Sequence, residues 1–480
     1  VPPVVFPSYL FIPVPFISAI VLYRKHNTQF VDCVEVIEAC IRRIKDVNSA
    51  LNFFVEDRFQ LALKEARDAD ELIKSGSKTI AQLEEEKPFL GVPFTTKDCI
   101  AVKGLQQTSG VVLRKDIIAE EDGVAIKLLR EKGAIIIGLT NVPELCMWET
   151  HNHIHGRTNN PYNTTRIVGG SSGGEGCCQA AAGSLFGIGS DIGGSIRMPA
   201  YFNGIFGHKP SNIFNTFIYL LSGIGPMTRH AVDLKPILKI ISGENGSKLK
   251  LDEPVDIKKL KFFYQYGIDA PLIDPVDPEI KAALKKVTEF LKEQHNLSTE
   301  ETDIALLRKA MPIWLANMKT PKRFGQYVMD NDSIGNICVE IVKNIFGLSP
   351  NTFIGLITAL IDHGGIKFDD PKYKHYLKLR DNLESIFSKM LGENGVFLFP
   401  THPTTAPYHN EPLIRPFNFC YTSVINCLGL PSTTVPLGLS SEGIPIGIQV
   451  IANYNQDRIC FAVAEELDRA FGGWVEPQNA

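Results

Sequence analysis

Gly169–Pro199 reads GGSSGGEGCCQAAAGSLFGIGSDIGGSIRMP, with two glycine-serine turns, Gly169–Gly174 and Gly193–Ser195, on either side of an Ala-rich stretch. Glycine lets the backbone approach a ligand closely and adopt positive φ, at an entropic cost that ordinary loops avoid. Consecutive Gly N–H groups form concave nests suited to developing negative charge. The spacer Glu175–Ala182 has the small residues of a helix packed tightly in an interior. A flexible linker would explain the first turn but neither the second turn nor the spacer.

Outward from this stretch, apolar runs alternate with amphipathic helices. Strands are expected at Leu90–Thr96, Ala134–Leu139, Lys258–Tyr266 and Val396–Phe399, and a closing pair at Leu430–Leu437 and Ile444–Ala452. Helices are expected over Asp32–Ile44, Arg58–Ser75, Asp122–Lys132, Ala231–Ile241, Pro278–Glu293 and Asp457–Phe471. This alternation predicts an α/β fold: a large mixed, twisted sheet flanked by helices on both sides. No repeat and no linker interrupts the pattern, so residues 18–480 are expected to form one domain. Glu300–Lys378 is less regular, and Glu84–Lys87 reads as a solvated charge run. Ahead of the domain, Val1–Tyr23 carries no charged side chain, but Pro2, Pro3, Pro7, Pro13 and Pro15 break any spanning helix. Residues 1–17 therefore read as an extended, membrane-proximal arm, with an anchor upstream as a further expectation, and Ser18–His26 as a short helix.

Composition narrows the function. The 480 residues are 44% hydrophobic, with a net charge of −4 and no long basic run, which argues against a nucleic-acid surface. The ten cysteines are scattered and include no C-x-x-C pair, fitting reduced thiols better than a disulfide framework. His151, His153 and His155 alternate as metal ligands on a strand would, but no carboxylate or cysteine pattern accompanies them. No metal or other cofactor is expected.

Two serines compete as nucleophile. Gly170–Gly174 formally matches G-x-S-x-G and would make Ser172 the nucleophile of a hydrolase elbow, served by an acid and by His363, His402 or His409. Alternatively, Ser195 attacks, with the amides of Ile192, Gly193, Gly194 and Ser195 as an oxyanion hole. Lys97, just after a buried strand, then becomes the candidate base if desolvation leaves it neutral.

Taken together, Lys97 in LGVPFTTKD, Ser171 in GGSSGGEG and Ser195 in GSDIGGSIRMPA resemble the amidase signature family. GLTNVPELCMW (138–148), GRTNNPYN (156–163), FNGIFGHKP (202–210), GPMTR (225–229) and residues 429–452 agree, so the resemblance runs nearly the whole chain. Glu175, CMWE, RPFNF (415–419) and FGGWVEP look most like the type 2 fatty-acid amide hydrolase branch. The resemblance implies a Ser-cisSer-Lys triad: Ser195 as nucleophile, Ser171 after a cis bond from Gly170 as relay, and Lys97 as base. It implies support from Ser172, Asp191 and Arg197, and an acyl pocket bordered by Cys146, Met147 and Trp148.

The same resemblance implies a small lipophilic amide as substrate and an intracellular, membrane-associated enzyme. Membrane contact is expected through the arm and Ile345–Ile361, 17 residues without a charge where relatives carry an apolar cap. A second copy of the chain is a further expected partner. Asn212–Ser222 is shorter and more apolar than the corresponding family loop. That shortening, and the need for a polar pocket, count against the rival reading as the A-type component of an amidotransferase. A broad aryl or short-chain amidase is the closer rival, and a catalytically silent binding protein is disfavoured by the intact Lys97, Ser171 and Ser195.

Overall fold

The computed structural model describes residues 32–212, 223–318, 322–364 and 370–478. The expected arm, the helix at Ser18–His26 and nearly all of the apolar loop at 212–222 lie outside the described residues.

Among the described residues, thirteen strands run in chain order: β1 (Phe54–Asp57), β2 (Pro93–Lys97), β3 (Ile135–Thr140), β4 (His151–Asn152), β5 (Gly156–Arg157), β6 (Phe186–Asp191), β7 (Phe206–Lys209), β8 (Gly223–Thr228), β9 (Lys261–Tyr264), β10 (Thr299–Glu301), β11 (Gly395–Pro400), β12 (Ser432–Leu439) and β13 (Pro445–Ala452). Eleven form one mixed sheet in the order β1-β3-β2-β6-β8-β7-β12-β13-β11-β9-β10, and β4 pairs with β5 apart from it. The fold is therefore α/β with a large mixed sheet, as the alternation of apolar runs and helices predicts. β2 and β3 are buried at every position, the signature of strands covered on both faces.

The register of the parallel trio β3-β2-β6 positions the site. Lys97 pairs with Thr140, and Thr96 with Ile188, so β2, β3 and β6 end together at one edge of the sheet. Ligands in open α/β sheets bind beyond such carboxyl ends. Behind this edge packs the short helix Gly173–Ala180, every residue of which is buried.

Most helices fall where the periodicity places them; Cys33–Leu51, Phe59–Lys74 and Pro278–His295 are examples. Three stretches differ. Glu84–Glu86 belongs to a helix, Ile80–Glu86, capped by reciprocal Thr79–Gln82 hydrogen bonds. The irregular-looking Glu300–Lys378 is mainly helical, with Ala310–Asn317, Ile334–Ile345, Phe353–His363 and the start of Pro371–Leu391. These helices bury only narrow stripes, so their apolar pattern is ragged. Finally, His151–His155 is not a long strand: β4 has two residues and a turn follows, leaving the His151 and His153 rings edge-on at 5.8 Å.

Gly174 shows how tightly the buried helix seats against the sheet. A Cβ there would fall 2.5 Å from Asn141 N and 2.6 Å from Asn141 O. Gly174→Ala is expected to destabilise the protein by about 1–3 kcal/mol through overpacking, visible as a lower urea midpoint; an unchanged midpoint would contradict this packing.

Candidate active site

Lys97, at the end of β2, is fully buried. Its Nζ donates to Ser171 Oγ at 2.7 Å, Ser190 Oγ at 3.0 Å and Ser172 Oγ at 3.1 Å. Three hydroxyls thus surround the Lys97 nitrogen, and Lys97 forms no ion pair among the described residues. The Gly170–Ser171 peptide bond is cis. Ser172 N–H donates to Ser195 O at 3.1 Å, drawing the two glycine-serine turns together. Ser195 is half-buried, whereas Ser171 and Ser172 are buried.

Ser172 is therefore a buried neighbour of the lysine. The histidines that would serve it in a hydrolase elbow are engaged elsewhere. His363 bonds Asp332 O, His402 bonds the Thr404 backbone, and His409 bonds Thr164 O.

The Gly193–Ser195 turn is built around Asp191. Its carboxylate accepts from Gly194 N at 2.7 Å, Ile196 N at 3.1 Å and Arg197 N at 3.3 Å. It also pairs with the Arg197 guanidinium through Nε and Nη2, both at 3.0 Å, and accepts from Asn426 Nδ2 at 2.9 Å. Arg197 reaches on to Gln449 Oε1 at 3.1 Å and Thr422 O at 3.0 Å. Burial raises the Asp191 carboxyl, but Arg197 and Asn426 outweigh it and hold the group well below the usual carboxylate range. Removing one member of such a buried pair typically costs about 3–5 kcal/mol, because the other is left uncompensated. Asp191 and Arg197 thus brace the turn, from the interior.

This bracing changes the expected oxyanion hole. The Gly194 amide is spent on Asp191, which leaves Ile192, Gly193 and Ser195 of the expected set. Gly194 contributes its conformation, φ +121°, which an L side chain rarely adopts. Trp314 covers the same turn, donating to Ile192 O at 3.3 Å, and Thr422 Oγ1 donates to Gly193 O at 2.8 Å.

Leu145–Trp148 is half-buried, with positive φ at Leu145, Cys146 and Trp148. Neighbouring Cys99 lowers the Cys146 thiol against the opposing push of burial, with smaller contributions in the same direction from Lys97 and Ser171. All ten cysteines are free thiols. Glu175, from the buried helix, accepts from Thr140 Oγ1 at 2.7 Å and Thr95 Oγ1 at 2.8 Å.

The sequence reading assigns no role to Ser190, Trp314, Thr422 or Asn426. Ser190 does carry a signal, since β6 and β2 are parallel neighbours and it precedes Asp191 at the same edge. The other three lie over a hundred positions away, and nothing local ties them to the turn.

Against this geometry, residues 35–461 match the family model described as Amidase. The chain belongs to the amidase (amidase signature) family and is an enzyme acting on amide bonds. It is 41% identical to Fatty-acid amide hydrolase 2 of Homo sapiens, over 97% of this chain and 91% of that one. It is 42% identical to Fatty-acid amide hydrolase 2-B of Danio rerio, again over 97% of this chain and 91% of that one. A more distant likeness, at 28% identity over 93% of this chain, is to a Glutamyl-tRNA(Gln) amidotransferase component of Caldanaerobacter subterraneus subsp. tengcongensis, of which 95% is covered. A solved structure titled Fatty acid amide hydrolase superposes with a TM-score of 0.74 at 23% identity, over 96% of this chain and 85% of that chain, a likeness of fold.

Burial pushes the Glu175 carboxyl up from its ordinary 4.5 to about 7, against the hydrogen bonds from Thr140, Thr95 and Gln179. The native state therefore keeps a proton that the unfolded chain releases. This group's contribution to stability is present below about pH 4.5 and lost as pH rises through about 7. Glu175→Gln should gain stability relative to the parent between about pH 5 and about pH 8, measured by urea unfolding. A difference that does not change with pH would contradict the raised carboxyl.

Proposed function

We propose that this amidase cleaves lipophilic carboxylic amides, fatty-acid amides foremost, to free acid and amine. The observation that carries the chemistry is the 2.7 Å hydrogen bond between the buried Lys97 amine and Ser171, beside the turn that bears Ser195. Ser195 Oγ attacks the amide carbon as its proton passes to Ser171 and the Ser171 proton passes to Lys97. The amides of Ile192, Gly193 and Ser195 hold the oxygen that becomes negative. The proton then returns through Ser171 to the departing amine, without which an amide nitrogen leaves poorly. Water attacks the resulting ester on Ser195 by the same route, releasing the acid. Ser172 orients Lys97, and Asp191 with Arg197 keeps the turn in shape.

Support for a lipid substrate comes from the likeness to Fatty-acid amide hydrolase 2 and from the apolar surface near the site. Ile345, Phe346 and Leu348 are 70%, 71% and 73% exposed, and Ile334, Val342 and Ile361 of the two flanking helices are exposed as well. Such a patch on helices Ile334–Ile345 and Phe353–His363 fits a lipid surface from which the substrate enters. No helix among the described residues is long and apolar enough to cross a membrane. Surface attachment, at an intracellular membrane or a lipid droplet, is the localisation we infer, with the half-buried Cys146, Met147 and Trp148 bordering the acyl group. A broad aryl or short-chain amidase would share the chemistry but not the need for an exposed apolar cap.

A fluorophosphonate probe and a panel of amides of increasing acyl length test both halves. Labelling should vanish in Ser195→Ala, survive in Ser172→Ala and fall by about 10² or more in Lys97→Ala, with turnover rising with acyl length. Labelling lost specifically in Ser172→Ala would move the nucleophile. No preference for long chains would discard the lipid substrate and keep the triad.

A further inference from the structure

The apolar cap and the catalytic turn are joined by one buried side chain. Glu144 is 2% exposed. Its Oε2 accepts from Thr352 N at 2.8 Å and Thr352 Oγ1 at 2.6 Å, and its Oε1 accepts from Asn351 Nδ2 at 3.0 Å. Thr352 is the N-cap of the cap helix Phe353–His363, its hydroxyl accepting from Gly355 N at 3.1 Å. The contact leaves no slack, since a Cβ on Gly355 would fall 2.2 Å from Glu144 Oε2. Asn351 is itself held, donating to Val328 O at 2.9 Å and accepting from Asn344 Nδ2 at 2.7 Å on the other cap helix. Three donors converge on this carboxylate, and a carboxamide in its place would aim an N–H₂ at one of them.

Glu144 also begins the loop that touches the catalytic turn. Four residues on, the Trp148 carbonyl lies so close to Gly170 that a Cβ there would fall 1.8 Å from it. Between them, Leu145, Cys146 and Trp148 have φ of 45°, 61° and 69°, backbone states that non-glycine residues hold only when their surroundings enforce them. The Leu145 side chain packs in the same small cluster as Leu356 and Ala359 of the cap helix. Hydrogen bonds therefore tie one end of this loop to the cap, and close backbone packing ties the other to Gly170.

We propose that Glu144 is a positioning residue that yokes the apolar cap to the catalytic relay: the cap's seat on Glu144 enforces the Leu145–Trp148 conformation, which in turn sets Ser171 between Lys97 and Ser195. The inference rests on the triad proposed above. Its consequence is that a change confined to the cap alters the reactivity of the serine itself, whatever substrate is offered.

The test uses the full chain and two variants that approach the link from opposite ends, Glu144→Gln and Thr352→Val, with thermal midpoints recorded for each. The fluorophosphonate labelling rate reads the nucleophile independently of acyl length, and kcat and KM are measured on a fatty-acid anilide. Both variants should label about tenfold more slowly or worse and lose kcat in proportion, with KM within about twofold of the parent. The double variant should be no slower than the slower single one, because both break the same link. Should Glu144→Gln fail to fold, Thr352→Val alone decides. Variants that melt earlier yet label at the parental rate would overturn the proposal, reducing Glu144 to a structural peg. Additive losses in the double variant would overturn it too. A parent that labels normally but spares fatty amides would refute the lipid substrate, while the labelling comparison would still decide the coupling.

Discussion

A lysine amine with no exposed surface, held by the hydroxyls of Ser171, Ser172 and Ser190, is the constraint on which the rest of this protein depends. Removing an amine from water is costly unless each polar direction finds a partner. The three partners come from one turn and a strand end, and the parallel register of β2 and β6 helps bring them to one point. The sheet is thus less a scaffold carrying a site than the means of meeting the needs of one buried nitrogen. The all-buried helix Gly173–Ala180 follows from the same need, because its glycines let backbone approach the sheet where side chains would not fit.

A buried ion pair serves a different purpose. Asp191 and Arg197 spend their hydrogen bonds on the backbone of the Gly193–Ser195 turn and on Asn426, Thr422 and Gln449. Preorganised amides are worth most in a transition state when they need not reorganise as charge develops. The turn is fixed from beneath by a carboxylate and covered by Trp314, and the carboxylate itself takes the Gly194 amide, an arrangement that would suit the oxyanion hole proposed above.

Much of this is legible in the sequence, and the limits have physical causes. β2, β3 and the pair β12–β13 announce themselves as apolar runs because both faces are covered. The two glycine-serine turns announce themselves because few other residues tolerate such backbone. The helices between residues 310 and 363 escape, since a helix that buries one narrow stripe and exposes apolar side chains elsewhere has no clean period. Asn426 and Thr422 escape for another reason: their roles arise from contacts with residues more than 220 positions earlier. Spacing alone assigns the Gly194 amide to the oxyanion hole, and spacing does not reveal that a nearby carboxylate claims it. Glu144 sits in plain view within GLTNVPELCMW, but its partners lie more than 200 positions later.

The central claim is that Ser195, and no other group at this crowded site, carries the acyl intermediate. Mass spectrometry of the intact protein, quenched during turnover of an activated acyl ester and then mapped by peptide, tests it most directly. The account predicts one added acyl group, located on the peptide containing Ser195 and absent from Ser195→Ala. An acyl group on Ser172 or on the Cys146 thiol, or turnover with no adduct trapped at any quench time, would contradict it.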